Sequence, residues 1–369
     1  MVLYVTYNDA PSGIYNSQVI DVVNCWQRQL TTPTQLVAFV SLRKFMEYKQ
    51  NIKAQLPSAL VLPMFPSVKL WQWNVLTLFF ITLYYQPKTI VGRSVYATNL
   101  ALMMRTIFSK IKIVYDGRGA IAAEVAEYNV GNGSIDIKAI EVMERGAIIA
   151  SNYRLAVSNA LVTYWGSEYN YTLTKHVVVP CTVDDTFIKQ ELTTTNSTAI
   201  NVVYAGSLAG WQSLQLLQQL VVNILQNNST VTFTFLSDEH KLITQLQLQF
   251  PKRITQQKVP HNAVCSALMQ ADYGILFREQ SVTNSVASPV KFGEYLACGL
   301  QIIASANVGD CSAQVLENNL GILITDIDTP IYLSKPTIAE RTANRTFALA
   351  QYNKNTPTIV SHYKTLLTL

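Results

Sequence analysis

Short apolar runs alternate along the chain with longer segments in which apolar residues recur every three or four positions. The first pattern is typical of buried strands and the second of amphipathic helices. Predicted strands are Val2–Tyr7, Leu36–Val40, Ala59–Met64, Thr89–Val91, Lys112–Tyr115, Leu155–Val157, Val177–Val179, Asn201–Ala205, Val231–Leu236, Ile254–Val259, Asp272–Phe277, Gln301–Ala304 and Gly321–Thr325. Predicted helices are Tyr15–Leu30, Arg43–Gln55, Lys69–Tyr85, Trp211–Gln226, Lys241–Phe250, Asn262–Met269, Val290–Cys298 and Thr358–Thr368. Such alternation predicts an α/β fold with parallel sheets and helices on both faces.

The chain is long enough for two domains. Its 369 residues exceed what a single hydrophobic core usually supports. Residues 180–197 end in a polar stretch without apolar periodicity, which is typical of a solvated linker. We therefore predict an N-terminal domain at residues 1–180, a second domain at residues 181–345 and a helical tail at residues 346–369.

One predicted helix, Lys69–Tyr85, is apolar on nearly all sides. Its longest apolar run, Val75–Leu83, is shorter than the ~20 residues that cross a bilayer, so a membrane span is not expected. The pattern favours a helix buried in the core. The alternative is a helix at a membrane surface, because Trp71 and Trp73 lie between flanking lysines that suit a headgroup boundary.

The segment SPVKFGEYLACGL, residues 288–300, stands between two predicted strands and follows a polar loop. A loop leading into a helix N-terminus suits an anion, because unpaired N–H groups and the helix dipole favour negative charge there. Pro289 fits the first turn. Lys291 can reach the same anion, and Glu294 can accept two hydrogen bonds from a vicinal diol such as a ribose. The alternative is a ligand-free amphipathic helix that ends at Gly299.

Other loops that follow predicted strands carry further candidate residues, because open parallel sheets bind ligands outside the carboxyl ends of their strands. They are Ser12 and Gly13 after the first strand, Asp116, Arg118 and Glu124 around the fifth, and Gly206 and Ser207 after the first strand of the second half. The alternatives are a plain turn at Ser12-Gly13 and a structural ion pair between Asp116 and Arg118. No GxGxxG or GxxxxGK[ST] motif follows any strand, which disfavours a typical dinucleotide or P-loop site.

Charge and cysteine content narrow the function classes. The net charge is +5, and the first 180 residues hold 16 Lys and Arg against 10 Asp and Glu. This field suits anionic membrane surfaces or phosphorylated substrates, whereas nucleic acid would need a denser basic stripe. The five cysteines form no CxxC pair, so neither zinc nor a disulfide framework is expected. Without a recognisable signal peptide, a reducing cytoplasm is the expected location.

Several stretches resemble glycosyltransferases of the family-4 type, which are retaining enzymes of the GT-B fold, here of the bacterial surface-polysaccharide kind. SPVKFGEYLACGLQII resembles the family signature Pro-x-Lys-x-x-Glu-Tyr-Leu-Ala-x-Gly-x-Pro-Val-Ile. LFRE, VVYAGSL, LAVSNALVTYW, VVVPCTVDDTF and VYDGRGAIAAE resemble further family stretches in the expected order. The resemblance implies two Rossmann-like domains that face a deep cleft, with the C-terminal helix crossing back to the first domain.

The resemblance also implies roles for residues. Glu294 would bind the ribose hydroxyls of a nucleotide sugar, and Arg278 and Lys291 its diphosphate. The remaining donor-side residues would be Ser12, Gly13, Gly206, Ser207, Ser288, Pro289 and Val290. Asp116 would contact the donor sugar and is grouped with Arg278 and Lys291 as catalytic, and Arg93, Arg118 and Glu124 are candidates on the acceptor side. Neither a metal nor a cofactor is expected.

The expected activity is the transfer of a sugar from a nucleotide sugar to a lipid-linked or growing glycan, as in O-antigen or capsule synthesis, at the inner face of the cytoplasmic membrane. The family often has a second acid eight positions before Glu294, where this chain has Val286. The alternatives are a GT-B nucleotide-sugar epimerase, for which no acid/base set is found, and a non-catalytic sugar- or nucleotide-binding protein.

Overall fold

The computed structural model describes residues 1–30, 32–128, 136–192, 198–206 and 213–367. The protein chain forms two compact units. The N-terminal unit is Met1–Thr182 together with Lys354–Leu369, and the second unit is Val183–Asn353. Each unit contains one parallel sheet with helices on both faces, which confirms the predicted α/β class.

The sheet of the N-terminal unit has the order β3-β2-β1-β4-β5-β6-β7. Its strands are β1 (Val2–Tyr7), β2 (Thr34–Val40), β3 (Leu60–Pro63), β4 (Thr89–Arg93), β5 (Lys112–Gly117), β6 (Tyr153–Ala156) and β7 (His176–Val178). The helices between them are α1 (Gly13–Tyr15), α2 (Asp21–Gln29), α3 (Phe45–Gln55), α4 (Asn74–Tyr85), α5 (Ser94–Ile107), α6 (Ile121–Tyr128), α7 (Ile137–Ala150) and α8 (Asn159–Tyr169). The predicted helix Tyr15–Leu30 is interrupted by a π-helical turn at Asn16–Ile20.

Strand β1 shows why this sheet is covered on both sides. All six of its residues are buried, and their side chains alternate between the two faces. Leu3 and Val5 pack in the core that includes α4 and α5, whereas Val2 and Tyr4 pack in the opposite core with Trp26 of α2. A strand buried on both faces is expected at the centre of a parallel sheet.

The sheet of the second unit has the order β10-β9-β8-β11-β12-β13. Its strands are β8 (Ile200–Ala205), β9 (Val231–Leu236), β10 (Ile254–Gln257), β11 (Tyr273–Leu276), β12 (Gln301–Ser305) and β13 (Gly321–Ile324). Its helices are α9 (Asp185–Lys189), α10 (Leu214–Asn227), α11 (Lys241–Gln249), α12 (Val264–Met269), α13 (Val282–Ser285), α14 (Val290–Ala297), α15 (Cys311–Glu317) and α16 (Ile338–Gln351). Short 3-10 helices lie at Leu42–Lys44, Val68–Trp73 and His261–Ala263.

The last helix, α17 (Pro357–Leu367), completes the core of the N-terminal unit. Ile359, Tyr363 and Leu366 are buried there, and the Tyr363 ring packs edge-on against Trp26 at 5.4 Å. Just before this helix the buried ammonium of Lys354 pairs with Asp21 at 3.0 Å. The N-terminal unit is therefore built from both ends of the sequence.

Helix α4 differs from its prediction as a buried core helix. Leu78 and Ile81 are buried in the core, but Leu76, Phe80 and Tyr84 are exposed. The prediction was wrong for this outer face, because a helix that is apolar all round gives no sequence signal for which side meets the core. In the described part of the chain, no helix is both long and apolar enough to cross a membrane.

Candidate functional site

Both sheets have a point at which the strand order reverses, and this is where open α/β sheets bind ligands. In the second unit the reversal lies between β8 and β11, and Gly206 and Arg278 follow these two strands. In the N-terminal unit it lies between β1 and β4. Ser12 and Gly13 follow β1, and Arg93 is the last residue of β4. The topology thus places candidate residues at the expected edge of each sheet.

Hydrogen bonds fix the loop that carries Arg278. Its backbone N–H donates to Ser305 Oγ at 2.8 Å, and its Nη1 donates to the amide oxygen of Asn284 at 3.3 Å. Asn284 is fully buried, and its amide nitrogen donates to the carbonyl of Glu279 at 3.1 Å. The neutral amide of Asn284 therefore positions both the guanidinium and the turn that follows it.

Helix α14 begins immediately after Pro289, whose side chain provides no hydrogen-bond cap for the first amides. A helix N-terminus directs N–H groups and partial positive charge outward, which suits an anion. By contrast, the first amides of α6, at Ile121 and Ala122, donate to the buried carboxylate of Glu144 at 2.9 and 3.0 Å. The first N–H groups of α6 are thus already hydrogen-bonded to a side chain of the protein.

Lys291 and Glu294 lie one turn apart on α14 and form an ion pair at 2.8 Å through Glu294 Oε2. The Glu294 side chain is largely buried, while that of Lys291 is about one-third exposed. The described residues offer no hydrogen-bond donor to the other carboxylate oxygen, Oε1. That oxygen has lone pairs for a ligand hydroxyl, and the Lys291 ammonium holds the carboxylate in place.

Tyr295 fixes α14 against the sheet. Its ring covers Gly274 of β11 so closely that an added Cβ there would lie 2.4 Å from the ring. Its hydroxyl accepts a hydrogen bond from the N–H of Ala205, the last residue of β8, at 2.9 Å. One side chain thus ties α14 to both strands of the reversal point. Burial raises the pKa of Tyr295 above its usual value, so it stays a phenol at neutral pH.

The loop before α14 also rests on Gly309. This glycine has φ of +48°, and an added Cβ would lie 1.8 Å from the carbonyl oxygen of Ala287. Its N–H donates to the carbonyl of Asn284 at 3.0 Å. Only glycine combines this backbone angle with such a close approach. Gly309 therefore helps to set the path of the chain from Asn284 to Pro289.

In the N-terminal unit, Asp116 is fully buried and lies among three donors. Tyr4 Oη donates to its Oδ2 at 2.5 Å, Arg93 Nη1 approaches the same oxygen at 3.5 Å, and Arg118 Nη1 donates to Oδ1 at 3.3 Å. Burial, with the adjacent Asp116 carboxylate, raises the pKa of Tyr4 well above its usual value. Burial is the largest influence on the pKa of Arg118 and lowers it, but the attractions of Asp116 and other neighbours together exceed it, so the pKa is raised overall.

Two further contacts place the arginines. Arg93 Nε donates to Asp9 at 3.0 Å, and Arg118 Nη2 donates to Gln18 Oε1 at 3.0 Å. Gln18 in turn donates to the carbonyl of Thr182 at 2.7 Å. The cluster thus links β1, β4 and β5 to Thr182, the last residue of the first segment of the N-terminal unit. Its hydrogen bonds and ion pairs hold the two guanidinium groups in place.

The remaining predicted residues have varied surroundings. Ser12 caps α1 by accepting from the N–H of Tyr15 at 3.1 Å, which makes Ser12-Gly13 a capped strand–helix turn. Glu124 is partly buried in the first turn of α6, and burial raises its pKa. Ser207 lies outside the described residues. Val286, at the position of the missing acid, is buried.

Sequence reasoning did not identify the residues that hold the site together: Tyr4, Gln18, Asn284, Tyr295, Ser305 and Gly309. Tyr295 lies within the signature segment, but nothing in the sequence distinguishes a tyrosine that positions a site from one that only packs in the core. The side chain of Asn284 bonds to its near neighbours Arg278 and Glu279, but the others contact residues far along the chain, as Tyr4 and Asp116 do across 112 positions. Local patterns do not encode such pairings.

No protein-family model matches the chain, and no curated protein does so either. Among solved structures, sucrose-phosphate synthase from Thermosynechococcus elongatus has a TM-score of 0.70 at 13% identity, covering 99% of this chain and 98% of that one. Anabaena HepE, in complex with UDP and glucose, has a TM-score of 0.69 at 14% identity and covers 100% of both chains. A TarM mutant from S. aureus, in complex with UDP and alpha-GlcNAc-glycerol among other ligands, has a TM-score of 0.67 at 8% identity, also over 100% of both chains.

The chain has the GT-B fold. The sequence resemblance implied this fold, and the structural neighbours confirm it. These neighbours are glycosyltransferases that share the two-sheet α/β plan over their full length.

Proposed function

We propose that this protein is a glycosyltransferase that moves a sugar from a nucleotide-sugar donor to a glycan or lipid-linked acceptor. The observation that carries the proposal is the arrangement at the reversal point of the second sheet. There Arg278, the N-terminus of α14 and the Lys291–Glu294 pair follow the strand ends. The same fold in HepE holds UDP and glucose.

The chemistry of glycosyl transfer fits these groups. When the bond from the sugar to a nucleoside diphosphate breaks, negative charge develops on the departing phosphate, and fixed cations and N–H dipoles stabilise it. Arg278, Lys291 and the start of α14 supply such groups. Glu294 Oε1 would accept a hydrogen bond from a ribose hydroxyl of the donor.

We further propose that the anomeric configuration is retained by front-face attack, in which the leaving phosphate accepts the proton of the acceptor. This route needs neither a protein nucleophile nor a metal, unlike the paired carboxylates of retaining glycosidases. The N-terminal unit would bind the acceptor, with Arg93 and Arg118 as cationic groups for a phosphate-bearing lipid carrier. We place the activity in the cytoplasm, in the synthesis of a surface polysaccharide such as O-antigen or capsule.

Nucleotide binding is tested by thermal shift with UDP, GDP, dTDP and CMP, each at millimolar concentration. One nucleoside diphosphate is expected to raise the Tm, because a ligand at 100 times its Kd stabilises the folded state by about 2.7 kcal/mol. Glu294→Ala should abolish this shift. Glu317→Ala, an exposed acid on α15 of the same unit, is the matched control and should keep it.

The outcome separates the candidate functions. If no nucleotide stabilises the protein, the donor site is refuted. Binding without turnover of radiolabelled nucleotide sugars on membrane extracts of the native host would instead favour a non-catalytic binding protein. Conversion of a nucleotide sugar in the absence of any acceptor would favour an epimerase. The anomeric configuration of a labelled product, read by NMR coupling constants, tests retention.

A further inference from the structure

The outer face of α4 is apolar and exposed in the described part of the chain. It consists of Trp73, Leu76, Phe80, Leu83 and Tyr84, which recur at helical spacing and so lie on one side of the helix. Trp73 is 61% exposed, Phe80 65% and Tyr84 81%. Contiguous exposed apolar side chains of this size mark an interaction site rather than ordinary surface.

This exposure is not a sign of a loosely packed helix. The opposite side of α4 is anchored in the core by Leu78 and Ile81, and Phe79 packs against Phe108 with ring centroids 5.6 Å apart. Asn74, at the first position of α4, is buried and donates to Tyr7 Oη at 3.0 Å. The outer face of α4 is therefore held rigidly in an outward orientation.

The segment of the sequence that carries this face has charge of a single sign. From residue 48 to residue 115 the sequence contains no Asp or Glu, but it contains eight Lys and Arg. Lys69 precedes the helix and Lys88 follows it, and both are exposed. The N–H of Lys112 donates to the carbonyl of Lys88 at 2.9 Å, which brings a second exposed lysine to the same end. Helix α5, which packs against α4, is also free of acidic residues.

We propose that the outer face of α4 docks this protein on an anionic lipid surface. An apolar stripe with tryptophan and tyrosine, bounded by lysines, matches the region between acyl chains and negatively charged headgroups. The 12-residue helix is ~18 Å long, against the ~30 Å of a bilayer core, so it lies in the interface rather than across it.

The charge pattern distinguishes a membrane from a second copy of the chain. In a twofold dimer built on this face, the same patch meets itself. The lysines at the ends of α4 would then meet other lysines, with no acidic residue from the surrounding segment to pair with them. Like charges brought together in an interface oppose association. An anionic bilayer supplies the missing negative charge.

This docking does not depend on nucleotide binding, so the two proposals can fail separately. Co-sedimentation with sucrose-loaded vesicles is the test, using either equal parts of phosphatidylglycerol and phosphatidylcholine or phosphatidylcholine alone. The full chain should bind the anionic vesicles at least tenfold more strongly, because each lysine near the surface contributes a factor of about five. Raising the salt concentration should weaken the binding.

Variants locate the contact. Leu76→Ser with Phe80→Ser should reduce partitioning more than tenfold, because two large apolar side chains no longer enter the interface. The double substitution Lys69→Gln with Lys88→Gln should remove most of the preference for phosphatidylglycerol vesicles. The matched control is Leu248→Ser with Leu316→Ser, two exposed leucines of the second unit, which should bind as the unaltered protein does.

Three results would overturn the proposal. They are equal binding to both kinds of vesicle, unchanged binding by the Leu76→Ser/Phe80→Ser variant, or a dimer in analytical ultracentrifugation that this variant dissociates. The last result would assign the face to a second copy. An unchanged Tm of the variant shows that it is folded, and the salt series on the unaltered protein tests the charge contribution without any substitution.

Discussion

Asp116 shows how one residue can organise a charged cluster without lying at its surface. Its carboxylate is fully buried, accepts a hydrogen bond from Tyr4, and forms ion pairs with Arg93 and Arg118. We infer that its main role is to orient the two guanidinium groups, which are nearer to solvent. Direct contact of Asp116 with a donor sugar remains a prediction.

Asp116→Asn should therefore destabilise the N-terminal unit strongly. Removing one partner of a buried ion pair leaves an uncompensated charge, and the free energy of unfolding falls by about 3–5 kcal/mol in such cases. Urea unfolding of the full chain measures this loss. Tyr4→Phe removes only one hydrogen bond to the same carboxylate and should lower the stability by about 1–3 kcal/mol. Equal stability of Asp116→Asn and the unaltered protein would show that Asp116 is not the counterion of the two arginines.

At the level of single elements, α14 is positioned by contacts made in several places. Tyr295 ties it to β8 and β11, and Gly309 sets the loop that leads into it. Its N-terminus is therefore held at the strand ends before any ligand binds. Such preorganisation reduces the ordering that binding would otherwise require.

Gly309→Ala is expected to disturb this arrangement. The new Cβ would collide with the Ala287 carbonyl, and the positive φ adds strain of about 1–3 kcal/mol. We expect a lower Tm and, if the proposed donor site is correct, a smaller stabilisation by a nucleoside diphosphate than the unaltered protein shows. Gly119→Ala is the control, because an added Cβ there has no heavy atom within 4 Å. Unaltered nucleotide binding by Gly309→Ala would show that the loop path does not affect the site.

The elements themselves were largely predictable from the sequence. Val290–Cys298 was predicted as a helix and is found at Val290–Ala297, and the strand predicted at Gln301–Ala304 is found at Gln301–Ser305. The spacing of apolar residues identifies such segments, because a helix or strand that buries one face must place apolar residues at regular intervals. The loop predicted at Arg278–Ser285 nevertheless contains the short helix α13, which Ser281 caps and Asn284 ties to Arg278. Four residues are too few to show a helical period in the sequence.

For the whole molecule, the notable feature is that the N-terminal unit uses the last residues of the chain. Tyr363 packs on Trp26, and Lys354 pairs with Asp21. Composition and periodicity indicated only a helical tail, whereas the family resemblance implied that the last helix crosses back to the first domain, where the structure has it. The observed core shows that Ile359, Tyr363 and Leu366 belong with β1 and α2.

Tyr363→Ala should lower the stability of the N-terminal unit by about 3–5 kcal/mol, because a large aromatic side chain leaves a cavity in the core. Differential scanning calorimetry of the full chain, with and without the bound nucleotide, assigns the affected transition. Tyr332→Ala removes an exposed tyrosine of the second unit and should change stability by no more than about 0.5 kcal/mol. A similar effect of both substitutions would contradict the role of α17 in the core.

The return of the chain to its first unit has a consequence for synthesis on the ribosome. Domains generally fold as they emerge, beginning with the N-terminal one. Here the N-terminal unit lacks Ile359, Tyr363 and Leu366 until they are synthesised after Val183–Asn353, which emerges as one continuous stretch. We expect the second unit to become protease-resistant first, on nascent chains stalled after residue 353 with an extension that clears the exit tunnel. The unit that is synthesised first is therefore completed last, and its apolar core stays incomplete while the second unit folds.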